Sequence, residues 1–356
     1  MSKYSKIYFI GVGGIGMSAI ARYYKFKGYP VAGYDRTPSD LTHALEKEGI
    51  DVHYNDDPDY IPKDVASTLV VYTPAIPADL KELVYVKEHG YTLVKRSRML
   101  GELAEGQTCL AVAGTHGKTT TGTLVAHILT ESGKGCSAFL GGISKNYDTN
   151  LLTSHTPTIV AEADEFDRSF LQLHPAIAAI TAMDADHLDI YGTLEEYRKA
   201  FKAFASQVSR TLIVKLGLDI TAEDTNARIL HYSYDNPDAD YHAANPRPDE
   251  VGHYIFDLVY PGGVIGNIRV GIPGWVNVEN SVAAAAVCLC HGVAPEAIKE
   301  AIGTYSGVRR RLDVHLNTPH LSYIDDYAHH PKELASAISS MSGIFPGRKL
   351  TAMFQP

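Results

Sequence analysis

The sequence predicts an α/β fold whose sheets are mostly parallel and which is divided into three domains. Strand-like and helix-like segments alternate along the chain, a pattern typical of parallel sheets with crossover helices. A strand followed by a glycine-rich loop opens the chain, and the same arrangement starts again about a hundred residues later. The length of 356 residues exceeds the roughly 100–200 residues of one domain, so several domains are expected.

The N-terminal domain is predicted to span residues 1–105. An apolar run at Lys6–Ile10 ends in glycines and indicates a buried strand. Residues 100–107 resemble a linker, because the composition shifts there before the second set of strands begins. The other elements expected in this domain are a helix at 17–27, a strand at Val31–Tyr34, a helix at 41–48 and a strand at Thr68–Tyr72.

The central domain is predicted to span residues 106–312 and to combine a parallel sheet with small antiparallel strands. Proline and asparagine interrupt alternating runs between residues 234 and 270, which indicates short antiparallel strands. The other expected elements are strands at 109–113, 158–161, 177–181 and 211–214, and helices at 194–208, 279–291 and 296–304.

The C-terminal domain is predicted to begin at residue 313. A strand at 321–324, a helix at 331–342 and a strand at 349–354 are expected in it. About 44 residues are too few to bury the core of a doubly wound domain, so we expect residues 313–356 to be an incomplete domain.

The composition argues against several classes of protein. A formal net charge of −9 does not suit general nucleic-acid binding, which needs a broad basic surface. The N-terminus has no apolar segment with a cleavage site, and no run approaches the roughly 18 apolar residues of a membrane span. Four cysteines without metal-site spacing argue against a disulfide framework or zinc. We therefore expect a cytoplasmic protein with small-molecule substrates and no membrane partner.

The first glycine loop, GVGGIG at residues 11–16, fits the pattern G-x-G-x-x-G between a strand and a helix. Glycines let the backbone approach a diphosphate, which then lies at the positive end of the helix. Asp35 ends the next strand, at the distance expected for a ribose-binding acid. The loop predicts a diphosphate ligand and, taken alone, suggests NAD, while an unliganded tight turn is the other interpretation.

The second glycine loop, GTHGKTTT at residues 114–121, has the residues of a P-loop. Backbone N–H groups would surround the phosphates, Lys118 would reach their outer oxygens, and the Thr119 hydroxyl would bind Mg²⁺. Val112 stands where the strict motif has its first glycine. The loop predicts ATP binding. A dehydrogenase needs only the first loop and a kinase only the second, but an enzyme that activates a nucleotide-linked substrate with ATP needs both.

Beyond these loops, the sequence resembles the Mur ligase family. The resemblance covers the whole chain and is carried by seven motifs in order, which together are far more specific than either loop. The motifs are GVGGIGMS at 11–18, GTHGKTTT at 114–121, EADEFD at 162–167, DHLD at 186–189, GWVNVEN at 274–280, GVRRRL at 307–312 and DDYAHHP at 325–331.

The resemblance implies three domains: a Rossmann-like domain for a UDP-sugar, a central P-loop ATPase-type domain, and a C-terminal domain for the amino acid, here partial. It implies an ATP-dependent ligase that uses Mg²⁺ to add L-alanine to the lactyl carboxylate of UDP-N-acetylmuramate through an acyl phosphate. A monomer or homodimer is expected. The alternatives are a related ligase that attaches a murein tripeptide to the same sugar, an NAD-dependent oxidoreductase and a non-enzymatic ATP-binding regulator.

The resemblance also implies the roles of individual residues. ATP would bind at Gly114, Thr115, His116, Gly117, Lys118, Thr119, Thr120, Asn277, Asn280, Arg310 and Asp326. The UDP-sugar would bind at Gly13, Gly14, Ile15, Gly16, Met17, Ser18 and Asp35. The metal ligands would be Thr119, Glu162 and His187, and the catalytic residues Lys118, Glu162, His187 and Arg311. Tyr327 and His329 would line the junction of the central and C-terminal domains.

Some of these assignments have alternatives. Asp164 and Glu165 compete with Glu162 for the metal, and Asn277 could cap the following helix instead of contacting adenine. The two arginines at 310 and 311 could form a solvated basic run. The sequence departs from the family pattern at Val276, where many relatives have His, at Leu312, where an aromatic is usual, and at Phe201, where some ligases carry a modified lysine.

Overall fold

The computed structural model of the chain describes residues 3–186, 188–249, 252–329 and 331–354. Its first part is a parallel sheet with the strand order β3-β2-β1-β4-β5, which with its helices is called the N-terminal unit below. The order reverses beside β1, so the carboxyl ends of the central strands form a crevice suited to a ligand. The strands are β1 Lys6–Ile10, β2 Val31–Tyr34, β3 Asp51–His53, β4 Thr68–Tyr72 and β5 Thr92–Lys95.

The helices of the N-terminal unit are α1 Ile15–Phe26, α2 Asp40–Lys47, α3 Lys81–Glu88 and α4 Arg96–Ala104. The linker predicted at 100–107 is wrong for its first five residues, because they belong to α4. Met99 and Leu100 bury their side chains there, and the Tyr24 hydroxyl contacts the Met99 sulfur. Burial of these apolar groups stabilises a helix where composition alone suggested a connection.

The second sheet, with its helices, forms the central unit. Its strand order is β15-β14-β13-β12-β11-β10-β6-β9-β7-β8. Pairing is parallel from β13 to β7, and antiparallel where β14 and β15 extend one edge and β8 the other. The strands are β6 Thr108–Ala113, β7 Ser137–Ser144, β8 Thr149–Leu152, β9 Thr158–Ala163, β10 Ile177–Ile180, β11 Thr211–Lys215, β12 Arg228–Ser233, β13 Tyr241–Pro248, β14 Tyr254–Tyr260 and β15 Gly263–Arg269.

Five α-helices belong to the described part of the central unit, in addition to a short 3-10 helix at Phe166–Gln172: α5 Lys118–Glu131, α6 Leu188–Tyr191, α7 Leu194–Ser206, α8 Val276–Cys290 and α9 Pro295–Thr304. The alanine-rich α8 is almost wholly buried against α5 and the sheet, where small side chains allow close approach. Phe201 on α7 is also buried and packs edge-on against Phe170, with ring centroids 5.2 Å apart. Phe201, which stands where some ligases carry a modified lysine, is therefore part of the hydrophobic core.

The third unit consists of the antiparallel pair β16 Asp313–Asn317 and β17 Ser322–Asp325, followed by α10 Pro331–Ile344. The strand predicted at 349–354 is wrong: these residues have no regular structure and are exposed. A strand needs a neighbour to accept its backbone hydrogen bonds, and none is provided among the described residues. The mixed α/β architecture with a parallel sheet and small antiparallel additions is confirmed.

The hydrophobic core is continuous between the N-terminal and central units. Helix α1 packs against β7 and β8, and one buried cluster contains side chains of both sheets. Tyr23 and Phe139 meet at this junction, with ring centroids 5.3 Å apart. The two units are thus fixed to each other by core packing. Within the described residues, none of the helices combines the length and apolar character needed to cross a bilayer.

Candidate active site

The P-loop connects β6 to α5 and depends on two glycines. Gly114 has φ of 131° and Gly117 has φ of 79°, both in the region that side chains rarely adopt. Gly117 is the residue before α5, so the loop turns directly into the helix at Lys118. The strand–loop–helix arrangement expected from the sequence is therefore present.

Lys118 reaches back over its own loop. Its Nζ donates to the Gly114 carbonyl oxygen at 2.6 Å and to Glu165 Oε1 at 2.9 Å. Burial lowers the pKa of Lys118, but the negative charges of Glu165 and Glu162 outweigh this effect and leave the pKa above its ordinary value. The side chain is a fixed cation at the mouth of the P-loop.

Glu162 lies beside the P-loop because β9 pairs with β6, with Glu162 opposite Val112. Its Oε1 accepts a hydrogen bond from the Thr119 hydroxyl at 3.0 Å, whereas its buried Oε2 has no hydrogen-bond partner among the described residues. Burial raises the pKa of the Glu162 carboxyl, and Lys118 partly opposes this. A side chain at Gly141 would collide with the carboxylate, so glycine makes room for it.

The three acids that competed for the metal role have different partners. Glu162 contacts Thr119, Glu165 is paired with Lys118, and Asp164 accepts a hydrogen bond from Arg96 at 3.1 Å. An unsatisfied buried carboxylate oxygen next to a P-loop hydroxyl is the arrangement that suits a divalent cation. The geometry therefore favours Glu162. His187, the other expected metal ligand, lies outside the described residues.

His116 connects the P-loop to the third unit. Its Nδ1 lies 3.3 Å from Glu333 Oε1 on α10, and its Nε2 lies 3.3 Å from Asp184 Oδ2. Arg311 approaches the same Glu333 carboxylate at 3.9 Å. Burial alone would raise the pKa of Glu333, but hydrogen bonds from His116 and the His329 backbone and the charge of Arg311 lower it to about 2. Glu333 is thus an anion that joins two units.

A cavity of about 380 Å³ lies between the start of α1 and the P-loop. Many residues expected in the site line it: Ile15, Gly16, Thr115, Gly117, Lys118, Thr119, Thr120, Glu162, Arg311, Tyr327 and His329. The sequence analysis missed Arg96, Gly141 and Asp186, which line it as well, and the two alternative metal ligands Asp164 and Glu165 also belong to the lining. The two glycine loops, distant in sequence, therefore open on a single cavity.

Asn277 and Asn280 lie in the first turns of α8 rather than in this cavity. Asn277 Nδ2 donates to the Pro273 carbonyl oxygen at 2.7 Å, closing the turn that precedes the helix. Asn280 Oδ1 accepts from the Thr121 hydroxyl at 3.3 Å, which places the amide against α5. Asn277 therefore has a local structural partner, but the prediction that it caps α8 is wrong: it lies inside the helix, the capping position is Trp275, and no described side chain caps this end. Adenine contact remains a prediction for both residues.

Arg310 and Asp326 also lie away from the cavity lining. The Arg310 side chain is 62% exposed and stacks over the Tyr327 ring at 5.0 Å. The Asp326 carboxylate accepts hydrogen bonds from the backbone N–H groups of Leu312 and Ala328, at 2.7 and 2.8 Å. Asp326 thus holds the turns around the junction, and Arg311 is the member of the arginine pair that reaches the cavity.

In the first glycine loop, Asp35 contacts the loop itself. Its Oδ2 accepts a hydrogen bond from the Gly13 backbone N–H at 2.7 Å, so Asp35 fixes the loop. Asp35 directly follows β2, which is the position expected of a ribose-binding acid. Ser18 and Met17 are buried in α1, and the Ser18 hydroxyl donates to the Ile15 carbonyl oxygen at 3.0 Å. Among the residues of this motif, Ile15 and Gly16 face the cavity. The described geometry suits roles for Met17 and Ser18 in holding the helix.

This architecture defines an α/β nucleotide-binding protein in which two glycine loops serve one cavity. A family model described as the Mur ligase family, catalytic domain, matches residues 6–108, and a model of the Mur ligase middle domain matches residues 112–288. The UDP-N-acetylmuramate–L-alanine ligase of Parabacteroides distasonis is 48% identical over 363 aligned residues, covering 100% of this chain and 78% of the relative. That of Flavobacterium johnsoniae is 44% identical, with coverage of 100% and 78%. The chain belongs to the Mur ligase family.

Solved structures agree with this assignment. The UDP-N-acetylmuramate–alanine ligase of Thermotoga maritima superposes with a TM-score of 0.85 at 28% identity, covering 96% of this chain and 78% of that one. A murein peptide ligase of Psychrobacter arcticus superposes with a TM-score of 0.78 at 21% identity, covering 97% and 77%. The second likeness concerns the fold alone.

Proposed function

We propose that this protein is an ATP-dependent ligase that joins L-alanine to the lactyl carboxylate of UDP-N-acetylmuramate, a step of peptidoglycan precursor synthesis. The observation that carries the proposal is the single cavity onto which both glycine loops open. Relatives that share 44–49% identity with the chain over nearly its whole length carry the name of this activity. We further propose that the reaction takes place in the cytoplasm, in a monomer or homodimer.

The cavity would bring two anionic reactants together in order. The N-terminal unit, proposed as residues 1–105, would hold the UDP-sugar at the end lined by Ile15 and Gly16, and the central domain, proposed as 106–312, would hold ATP on the P-loop. A lactyl carboxylate oxygen would attack the γ-phosphorus, the bond to ADP would break, and an acyl phosphate would form. The alanine amine would then attack the acyl carbon, and phosphate would leave from the tetrahedral intermediate.

Lys118 would exchange its partners during this sequence. Its contacts with the Gly114 carbonyl oxygen and Glu165 hold the ammonium ready at the loop. Phosphate oxygens carry more negative charge and would draw it onto the β/γ region, where it stabilises the charge of the transferring group. Arg311, which lines the same cavity, would act on the phosphates from the side of the third unit.

The residues present suit a Mg²⁺ ion at the P-loop. The buried Glu162 Oε2 without a hydrogen-bond partner and the adjacent Thr119 hydroxyl are hard oxygen ligands of the kind that Mg²⁺ prefers. When bound, Mg²⁺ would reduce the repulsion between the carboxylate and the triphosphate. We propose Glu162 and Thr119 as its holders, and His187, outside the described residues, as a ligand of a second ion.

Phosphate release with UDP-N-acetylmuramate, ATP and one amine at a time tests the proposal. L-alanine should give product, and neither other amino acids nor a murein tripeptide should match it. Lys118→Ala should reduce turnover about 10²–10³-fold. The control is Lys199→Ala, which removes an exposed lysine on α7 and should leave turnover unchanged. Faster ligation of the tripeptide would assign the related activity, and tight NAD binding without a response to the UDP-sugar would assign an oxidoreductase.

A further inference from the structure

Arg96 is the first residue of α4 and follows β5 directly. Its side chain is 21% exposed and extends from the N-terminal unit to the central unit, where Nη2 donates to Asp164 Oδ2 at 3.1 Å. The same side chain lines the cavity shared by the two glycine loops. Of the Lys and Arg side chains that line this cavity in the described structure, Lys118 belongs to the P-loop and Arg311 follows the central unit. Arg96 is the one supplied by the N-terminal unit.

The guanidinium lies directly against the first glycine loop. A Cβ at Gly16 would come within 2.6 Å of Arg96 Nη1 and 3.3 Å of Arg96 Cζ, so a larger residue there would displace the guanidinium from this position. The arginine therefore faces the place where the UDP-sugar is proposed to enter. Its planar fork can bind a carboxylate or phosphate through two N–H groups at once.

The neighbouring pair Lys95–Asp167 provides a comparison. Lys95 Nζ lies 3.1 Å from Asp167 Oδ2 and joins the same two segments of the chain. Its side chains are 47% and 36% exposed and neither lines the cavity. An ion pair that only ties the units together is thus already available one residue away. Arg96 differs because it points into the cavity, with a carboxylate as its present partner.

We propose that Arg96 binds the sugar-nucleotide substrate, exchanging Asp164 for an anionic oxygen of UDP-N-acetylmuramate. This proposal rests on the proposed function. Both the tetrahedral phosphates of the diphosphate and the planar lactyl carboxylate carry negatively charged oxygens of the kind that a guanidinium binds. Arg96 would hold this anion between the first loop and the P-loop. Asp164 competes with the substrate for the same cation. Removing the charge of Arg96 and removing that of Asp164 should therefore have opposite effects on substrate binding.

Calorimetry of UDP-N-acetylmuramate binding without ATP separates the roles of these residues. Arg96→Met, which keeps the aliphatic stem, should weaken binding about tenfold or more, because a hydrogen bond to a charged group is lost. Arg96→Lys keeps the charge without the fork and should fall between Arg96→Met and the parent. Asp164→Asn should bind as tightly as the parent or more tightly. Lys95→Met, the matched control, should remain within about twofold of the parent.

Two further ligands identify the anion. UDP-N-acetylglucosamine and UDP carry the diphosphate but not the lactyl carboxylate. If Arg96→Met weakens their binding by the same factor as that of UDP-N-acetylmuramate, the arginine binds the diphosphate. If it weakens only UDP-N-acetylmuramate, the arginine binds the carboxylate. Either result supports the proposal.

Two results would overturn it. Equal weakening by Arg96→Met and Asp164→Asn would mean that the pair only supports the structure, and unchanged binding by Arg96→Met and Arg96→Lys would exclude contact with the substrate. In both cases the parent still binds the UDP-sugar, so the proposed function stands. A parent that binds no UDP-sugar would overturn the proposed function together with this assignment.

Discussion

Three acids within four residues illustrate how finely side-chain roles are divided at this site. Glu162 still belongs to β9, whereas Asp164 and Glu165 follow its end and turn toward different cations. The chain then passes through Asp167 and Arg168, two consecutive non-glycine residues with φ of 52° and 55°. Such backbone strain is found where the surrounding structure holds a functional segment in place. The sequence identified the segment but left its members interchangeable, because only the pairing of β9 with β6 orients them.

The ionised Glu333 carboxylate is expected to stabilise the fold in a pH-dependent way. Glu333→Gln should lower the free energy of unfolding by on the order of 1–3 kcal/mol near pH 6, because the anion loses its pairing with His116 and Arg311. The folded-state pKa of about 2 lies below the ordinary value of 4.5. The contribution is therefore complete above pH 4.5 and declines as the pH falls toward 2. Urea unfolding between pH 3 and pH 7 measures it.

Glu300→Gln on α9 serves as the control for this measurement, since Glu300 is exposed. It should change the free energy of unfolding by no more than about 0.5 kcal/mol at any of these pH values. A parent–variant difference for Glu333→Gln that stayed constant from pH 7 to pH 3 would show that the carboxyl titrates normally.

At the scale of the element, the P-loop depends on backbone conformation rather than on side chains. Gly114→Ala should lower the free energy of unfolding by about 1–3 kcal/mol or more and abolish ATP binding. Its φ of 131° suits glycine alone, and a Cβ would lie 2.7 Å from the Ala182 backbone nitrogen, which cannot move aside. Isothermal titration with ATP and a denaturant melt measure the two effects.

Gly122→Ala is the matched change within α5. The nearest atom to its Cβ would be Val112 Cγ2 at 3.9 Å, an ordinary contact, and the backbone is helical. Alanine should therefore leave ATP binding intact and stabilise the helix by up to about 1 kcal/mol. The explanation would be wrong if Gly114→Ala still bound ATP like the parent.

The elements that the sequence predicted best are those with a local signal. Both strand–loop–helix motifs are present. The helices predicted at 194–208 and 296–304 agree with α7 and α9 to within two residues. The edge strand β8 and its neighbour β7 were not predicted, because the pairing of β7 with β9 and with β8 is not visible in a local pattern. The wrong strand at 349–354 has the reverse cause: its apolar residues suit a strand, but no neighbour accepts its hydrogen bonds in the described structure.

At the scale of the whole molecule, a buried polar network joins the first two units. The Arg22 guanidinium on α1 donates to Asn150 Oδ1 on β8. Asn150 Nδ2 donates in turn to the Ile15 carbonyl oxygen at 2.6 Å and to the Ser18 hydroxyl at 2.9 Å. These contacts link residues more than a hundred positions apart, so no sequence pattern could reveal them. Arg96 was missed because its partner Asp164 is likewise distant in the sequence, 68 positions away.

Asn150→Ala should lower the free energy of unfolding by about 1–3 kcal/mol, because it leaves buried polar groups unsatisfied. Glu48→Ala removes the other partner of Arg22, at 2.7 Å, but that carboxylate is 43% exposed. It should therefore cost no more than about 1 kcal/mol. Denaturant unfolding of both variants checks the order, and a larger loss for Glu48→Ala would contradict the importance of the buried network.

The continuous core between α1 and the β7–β8 edge has a consequence for protein engineering. Tyr23 and Phe139 pack together across it, so separating the units would expose aromatic side chains along with the buried Arg22. An excised N-terminal unit would expose a hydrophobic surface of the kind that promotes aggregation. A chimaera that takes its N-terminal unit from another Mur ligase would have to inherit the facing surface of β7 and β8 as well.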